Sequence, residues 1–275
     1  MNMKKLRIAI AGPNGRMGSQ LIKCVEETKN IVLSVIITKS CFNFEKKNSL
    51  IRKIDNFNAK ITNDINSVIN NFDILIDFTR PENTLKNLLV CYQNNKSIVI
   101  GTTGFDESGR KIIQDAAKKI PIVYSSNFSI GINLLFKLIE KTTEIIGNSS
   151  DIDIIEKHHR QKKDCPSGTA LTIGEKIAQI MNWNLKESMF YNNINNIAIR
   201  PPKVIEFSSI RSGEIIGEHT VLFHEKNEQI EITHKAINRK IFASGAVKAA
   251  IWIEKNKKEK GLFDMQDVLN LKNIF

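Results

Sequence analysis

Short apolar runs alternate with helical patterns along the first half of the chain. LRIAIA (6–11) has the near-continuous apolar character of a strand covered on both faces, and VLSVII (32–37), DILIDF (73–78), SIVIG (97–101) and PIVYS (121–125) read the same way. Between them, PENTLKNLLVCYQNN opens with Pro81 at a favoured first helical position, and DESGRKIIQDAAKKI fills the interval after Gly104. Such alternation predicts a parallel sheet with helices on both faces, which binds ligands outside the carboxyl ends of its strands.

The pattern changes beyond about residue 127. An amphipathic helix is expected from Asn133 to Ile146, stopped by Gly147, followed by the alternating strand DIDII (151–155) and the helix ALTIGEKIAQIM (170–181). VIEFSSIR, EIIGEHTVLFH and QIEITHKAI, separated by the turn-like SGE and EKNE, predict an antiparallel meander covered by helices on one face. FASGAVKAAIWIEKN then reads as a helix and GLFDMQDVLN as a short terminal one. The fold class is α/β: an N-terminal Rossmann-like dinucleotide-binding domain and a second α+β domain on a mixed or antiparallel sheet.

Composition narrows the function classes. The 275 residues, 41% hydrophobic and 25% charged, suit one or two ordinary globular domains, with no apolar run of membrane-spanning length. MNMKKLRIAIAG runs straight into the first strand without a signal-peptide segment, so a cytoplasmic location is expected. The formal charge of +11 raises nucleic acid as a partner, but the lysines are dispersed among acids and no aromatic platform accompanies a basic run. Cys24, Cys41, Cys91 and Cys165 lack metal-ligand spacing and are expected as reduced thiols. Cys165 reads as a small filler beside Pro166, with a nucleophile as the alternative.

Two segments carry chemistry. In the first, Gly12, Gly15 and Gly18 lie between strand and helix. Gly12 suits a tight turn, Gly15 keeps side chains off a pyrophosphate, and Gly18 permits close helix packing; the alternative is a plain strand-to-helix turn. Small and hydroxyl residues at later strand ends could lie against a nicotinamide and its ribose. In the second, EKHHRQKKDCPSGTA (156–170) gathers His158, His159, Arg160, Lys162 and Lys163 before a helix start at Pro166 and Ser167. Amides near Gly168 and Thr169 would accept a carboxylate, and the basic groups suit a small polyanion undergoing proton transfer. A solvated basic loop before an ordinary cap is the alternative. His219, His224 and His234 fall on expected strands as paired structural residues, with His234 a possible neighbour of the substrate.

These motifs, with DFTRPE, GTTGF, NFSIGIN, GEHTVLF, EITHKA and GLFDMQDVL in order, give a chain that resembles the 4-hydroxy-tetrahydrodipicolinate (dihydrodipicolinate) reductase family over nearly its whole length. The resemblance implies reduction of a cyclic dicarboxylate at ring carbon 4 with loss of water, using NADPH or NADH, in lysine and diaminopimelate synthesis. It places His158 as general acid/base and Lys162 as proton donor, with His159, Ser167, Gly168 and Thr169 against substrate. It places Gly12, Pro13, Asn14, Gly15, Arg16 and Met17 against the cofactor, followed by Gly101, Thr102 and Thr103, then Ser125, Ser126, Asn127 and Phe128. It implies a homotetramer, a cofactor domain of residues 1–126 and 239–275, and a substrate and oligomerisation domain of 127–238. One departure is Thr38, followed by Lys39 and Ser40, where the family often has an acid for the ribose hydroxyls. Losing that carboxylate and gaining Lys39 favours NADPH. The rival readings are another nicotinamide-dependent oxidoreductase of an amino or sugar acid, which has no reason to carry PSGTA beside two histidines, and a catalytically silent NAD(P)-binding protein.

Overall fold

The computed structural model describes residues 5–39, 58–191 and 199–273. The expected neighbours of Lys39, Ser40 and Cys41, lie outside them. The chain divides into two compact units, Met1–Ile130 with Arg239–Lys272, and Gly131–Asn238 with Asn273–Phe275.

In the first unit, β1 (Leu6–Ala11), β2 (Ile31–Ile37), β3 (Lys60–Thr62), β4 (Ile74–Asp77), β5 (Ser97–Ile100), β6 (Pro121–Tyr124) and β12 (Gly261–Phe263) form one sheet ordered β12-β6-β5-β4-β1-β2-β3. Every neighbouring pair is parallel. The order grows one way from β1 through β2 to β3 and the other way from β4 to β6, so a topological switch lies between β1 and β4. Alternate side chains of β1 enter opposite cores. Ile8 and Ile10 pack with Leu21, Ile22 and Ala246 of α1 (Arg16–Glu27) and α7 (Lys240–Lys255). Ala9 and Ala11 pack with Leu88 and Ile113 of α2 (Pro81–Gln93) and α3 (Glu107–Ala117). Each fully buried leucine or isoleucine among them contributes about 1.5–3 kcal/mol of transfer free energy, so both faces must be covered.

In the second unit, α4 (Ile130–Ile146) and α5 (Gly168–Met181) cover one face of a sheet ordered β11-β10-β7-β9-β8. Its strands are β7 (Asp151–His158), β8 (Met189–Phe190), β9 (Ile205–Arg211), β10 (Gly217–His224) and β11 (Gln229–Ala236). Ile152, Ile154, Val221, Phe223 and Phe207 meet Phe136, Ile139, Ile173 and Ile177 from the helices.

The structure revises several sequence expectations. The last three strands are not a simple meander, because β7 lies between β9 and β10, parallel to the first and antiparallel to the second. The SGE segment does not close a hairpin. Ser212 N donates to His158 O (2.9 Å) and Arg160 N to Gly213 O (3.2 Å), so the connection passes over the end of β7. β7 itself runs on to His158 rather than ending near Ile155. α4 begins at Ile130, three residues before the expected Asn133. GLF of the final segment is a parallel edge strand on β6, not part of a helix. Cys165 is exposed rather than a packed filler, whereas Cys24 and Cys91 are buried thiols whose pKa burial raises. Among the described residues no helix is long and apolar enough to cross a membrane, and no cluster of His, Cys, Asp or Glu could hold a metal ion.

α7 reaches the loop after β6 by close approach at Gly245, where an added Cβ would overlap the Phe128 carbonyl. An alanine is ordinarily worth about 1 kcal/mol over glycine inside a helix. Here the expected sign reverses: Gly245→Ala lowers stability by about 1–3 kcal/mol, as overpacking against backbone does, read as a lower urea midpoint at constant m-value.

Candidate functional site

Each unit holds a cluster of chemistry-bearing residues at strand ends. In the first, the chain leaves β1 at Gly12, whose φ of +73° is a left-handed conformation that side-chain-bearing residues rarely adopt. An added Cβ there would also stand 2.7 Å from the Thr79 methyl. Gly12 N donates to Ile37 O (3.1 Å) and Gly15 N to Gly12 O (3.2 Å), which closes the turn. Gly15 is the N-cap of α1 and provides no side-chain cap, so first-turn amides and the positive end of the helix dipole are left for an anion. Asn14 reaches across to the Thr38 hydroxyl (3.5 Å).

A cleft of about 710 Å³ opens at this turn, lined by Gly12, Pro13, Asn14 and Gly15, by Thr38 and Lys39 after β2, and by Phe78, Thr79 and Arg80 after β4. It lies at the switch between β1 and β4, where open α/β sheets take their ligands. An uncapped helix start and a glycine turn at the mouth of a cleft this size fit a dinucleotide diphosphate.

The other expected cofactor residues do not line this cleft. Arg16 and Met17 start α1, with Met17 half-buried against the core. Gly101, Thr102 and Thr103 follow β5, and Ser125, Ser126, Asn127 and Phe128 follow β6, at neighbouring strand ends of the same sheet. Several of these side chains are already engaged. The Thr102 hydroxyl is buried and accepts from Thr79 N (2.9 Å); Ser125 donates to the Asn127 carbonyl (2.8 Å); Asn127 Oδ1 accepts from Ser129 N (2.9 Å). Phe128 is buried with its ring 5.3 Å from that of Phe78. The side chains of Thr102 and Phe128 are therefore turned inward.

What holds the turn after β4 is Asp77, the last residue of that strand and 0% exposed. Its Oδ1 accepts from Thr79 N (3.0 Å), Thr79 Oγ1 (2.6 Å) and Thr84 Oγ1 (3.1 Å), and its Oδ2 from Asn87 Nδ2 (2.8 Å). Sequence reading named the loop but missed this carboxylate. The signal was there: an acid closing a run of four otherwise apolar strand positions must be paired once buried.

In the second unit, the extension of β7 to His158 sets Glu156 and His158 on one face, two residues apart. Both are buried, Glu156 to 1% and His158 to 8% exposure. His158 Nδ1 is hydrogen-bonded to Glu156 Oε2, and Arg211 Nη2 donates to Glu156 Oε1 (2.6 Å). Burial alone would raise the Glu156 pKa, but bonds from His158, Arg211 and Ser209 prevail and hold it at about 2. His219, on β10 opposite Glu156, stacks edge-on against His158 with centroids 5.1 Å apart. Burial and the His158 charge push its pKa down to about 3, so it is a neutral partner there.

The loop after β7 carries the basic residues. His159 is half-buried, while Arg160 and Lys163 are exposed to solvent. Lys162 Nζ donates to Asp164 Oδ2 (2.8 Å), which holds the Asp164 carboxyl below its ordinary range despite partial burial. Ser167 caps α5: its Oγ accepts from Ala170 N (3.2 Å) and lies 3.0 Å from His219 Nε2. The Ser167 hydroxyl is thus structural. Gly168, the first residue of α5, is exposed, and a Cβ built on it would meet nothing within 4 Å. Open space at a helix start beside a basic loop suits a carboxylate. His224 pairs with Asp153 (3.1 Å). His234 faces His219 across the β10–β11 ladder.

Comparisons with known proteins cover both units. Residues 6–128 match the family described as dihydrodipicolinate reductase, N-terminus, and residues 131–269 the family described as dihydrodipicolinate reductase, C-terminus. A protein of Buchnera aphidicola subsp. Baizongia pistaciae named 4-hydroxy-tetrahydrodipicolinate reductase is 51% identical over 98% of this chain and 100% of its own. A namesake from Buchnera aphidicola subsp. Schizaphis graminum is 52% identical over 98% of both. The structure of dipicolinate-bound dihydrodipicolinate reductase from Paenisporosarcina sp. TG-14 superposes with a TM-score of 0.77 at 25% identity, covering 98% of this chain and 100% of that one. With matches that span both units and meet where the chain divides, this protein belongs to the dihydrodipicolinate reductase family.

Proposed function

We propose that this protein reduces 4-hydroxy-tetrahydrodipicolinate to tetrahydrodipicolinate, with release of water, in the synthesis of diaminopimelate and lysine. The observation that carries the reading is the open helix start at Gly168 beside the loop of His159 and Lys162, with His158 at the end of the preceding strand. The family match and the dipicolinate held by the Paenisporosarcina relative support a ring dicarboxylate as the ligand. A reduced nicotinamide dinucleotide supplies the hydride for ring carbon 4.

The chain's own groups handle charge and protons. Amides of Gly168 and Thr169, with the positive end of α5, receive a carboxylate, while His159 lies on the same loop. Lys162 pairs with Asp164. Transfer of its ammonium to the incoming dianion exchanges one carboxylate partner for another. It then yields a proton as negative charge builds on the reduced ring. His158 serves as the general acid/base. Ser167 takes part only by shaping the helix start, since its hydroxyl is already engaged.

Selection of NADPH over NADH rests on the cleft of the first unit. Thr38 stands where a ribose-binding acid would repel a 2′-phosphate, and among the described lining residues Lys39, Arg80 and Lys86 face one acid, Asp64. A homotetramer is proposed on kinship and on the sheet of the second unit. Ile155, Leu222 and the exposed Ile210 share, by register, the face turned away from α4 and α5.

Three measurements check these proposals. With freshly generated cyclic substrate, Lys162→Ala and His158→Ala each lower kcat/KM by at least about 10²-fold, the usual cost of a positioned acid or base; unchanged turnover refutes the roles. The kcat/KM for NADPH exceeds that for NADH, and Lys39→Glu narrows or inverts the ratio; an equal or NADH-favouring ratio in the wild type refutes the preference. Light scattering gives four chains per particle, and Ile210→Glu lowers that number.

A further inference from the structure

The two oxygens of Glu156 point to different tasks. Oε2 meets Nδ1 of His158; Oε1 takes a hydrogen bond from Arg211 Nη2, and the same Nη2 donates to the backbone carbonyl of Asp164 (2.7 Å). Asp164 in turn holds Lys162. A carboxylate 1% exposed keeps its charge through these donors and Ser209, so their geometry is set jointly. The strand registers build the arrangement: Glu156 lies opposite Ser209 on β9, and His158 opposite Arg211. On the other side, the absent side chain of Gly217 leaves room beside His158 Nε2, since a Cβ there would come within 3.1 Å of it.

We propose that Glu156 is the positioning residue for both proton-handling groups, orienting the His158 ring through one oxygen and, through Arg211, the loop that carries Lys162 through the other. The role of this carboxylate in the reaction rests on the reductase reading; its effect on the ring does not. An anionic acceptor at Nδ1 favours a proton on that nitrogen, leaving Nε2 as the exchanging atom of the neutral ring. Arg211 is suited to the bridge because its rigid planar fork can serve a carboxylate and a carbonyl together, which the point charge of lysine does poorly.

The test combines ring spectroscopy with kinetics. Long-range 15N–1H correlation spectra of 15N-histidine-labelled protein at pH 8.5, with His158 assigned by His158→Gln, should show its neutral ring protonated at Nδ1 in the wild type. In Glu156→Gln, whose amide is both donor and acceptor, that signature weakens in favour of the Nε2–H form. The same variant should lower kcat by about a hundredfold with less than a tenfold change in KM, and Glu156→Asp should recover part of the loss. Arg211→Lys should lower kcat while leaving the His158 signature in place. A wild-type ring protonated at Nε2 overturns the proposal even if the variants fail to fold, as does a Glu156→Gln enzyme with wild-type kcat. Wild-type protein that shows the Nδ1–H ring, loses it in Glu156→Gln, and has no turnover supports the positioning and overturns the reductase reading instead.

Discussion

A carboxylate withdrawn from water at the carboxyl end of a strand must collect donors from whatever lies around it, and both units are organised by that requirement. An ionised group in a low-dielectric interior costs several kcal/mol unless hydrogen bonds replace its hydration. Asp77 meets the demand with Thr79, Thr84 and Asn87, which ties the turn after β4 to the first turns of α2. Glu156 meets it with His158 and Arg211, which joins β7 to β9 and to the basic loop. Each charge converts flexible connections into a shaped surface, and each lies just beneath residues expected to meet ligand.

Helix starts are the second recurring device. α1 begins at Gly15 without a side-chain cap, whereas α5 begins with the Ser167 hydroxyl already on its third helical amide. The difference suits the two anions expected. A diphosphate in a cleft can meet several amides of an uncapped turn, whereas a ring carboxylate needs fewer contacts and benefits from a turn held rigid by its cap. Gly168 keeps the approach clear while Ser167 stiffens the base. Neutral His219, against Ser167 and His158, fills the space beneath without adding a further positive charge.

Much of this was legible in the residues. The apolar runs around Ile8, Leu75, Val99 and Ile122 marked the strands because parallel strands covered on both faces leave little room for polar residues. The glycine turn and the PSGTA segment were readable because each needs special residues at fixed spacing. Less legible were short or non-local features. Gly261–Phe263 is too brief for its period to identify it as a strand, and its pairing with β6 spans about half of the chain. The SGE turn carries hairpin composition, yet its Ser212 amide and Gly213 carbonyl bond to the end of β7 and the residues after it. Asp77, Glu156 and Arg211 drew no notice because a charged residue at a strand end is usually solvated, and sequence does not display burial.

Local chemistry thus came from the chain alone: which segments are strands or helices, where a helix start is open to an anion, and which basic residues precede it. These follow from backbone preference and short-range spacing, which neighbouring residues decide. The tertiary structure alone decided the insertion of β7 between β9 and β10, the inward turn of Thr102 and Phe128, and the convergence of His158, Arg211 and the Lys162 loop on one carboxylate. Those outcomes depend on which distant segments share a buried face, a choice made by the packing and desolvation of the whole unit rather than by any stretch of residues within it.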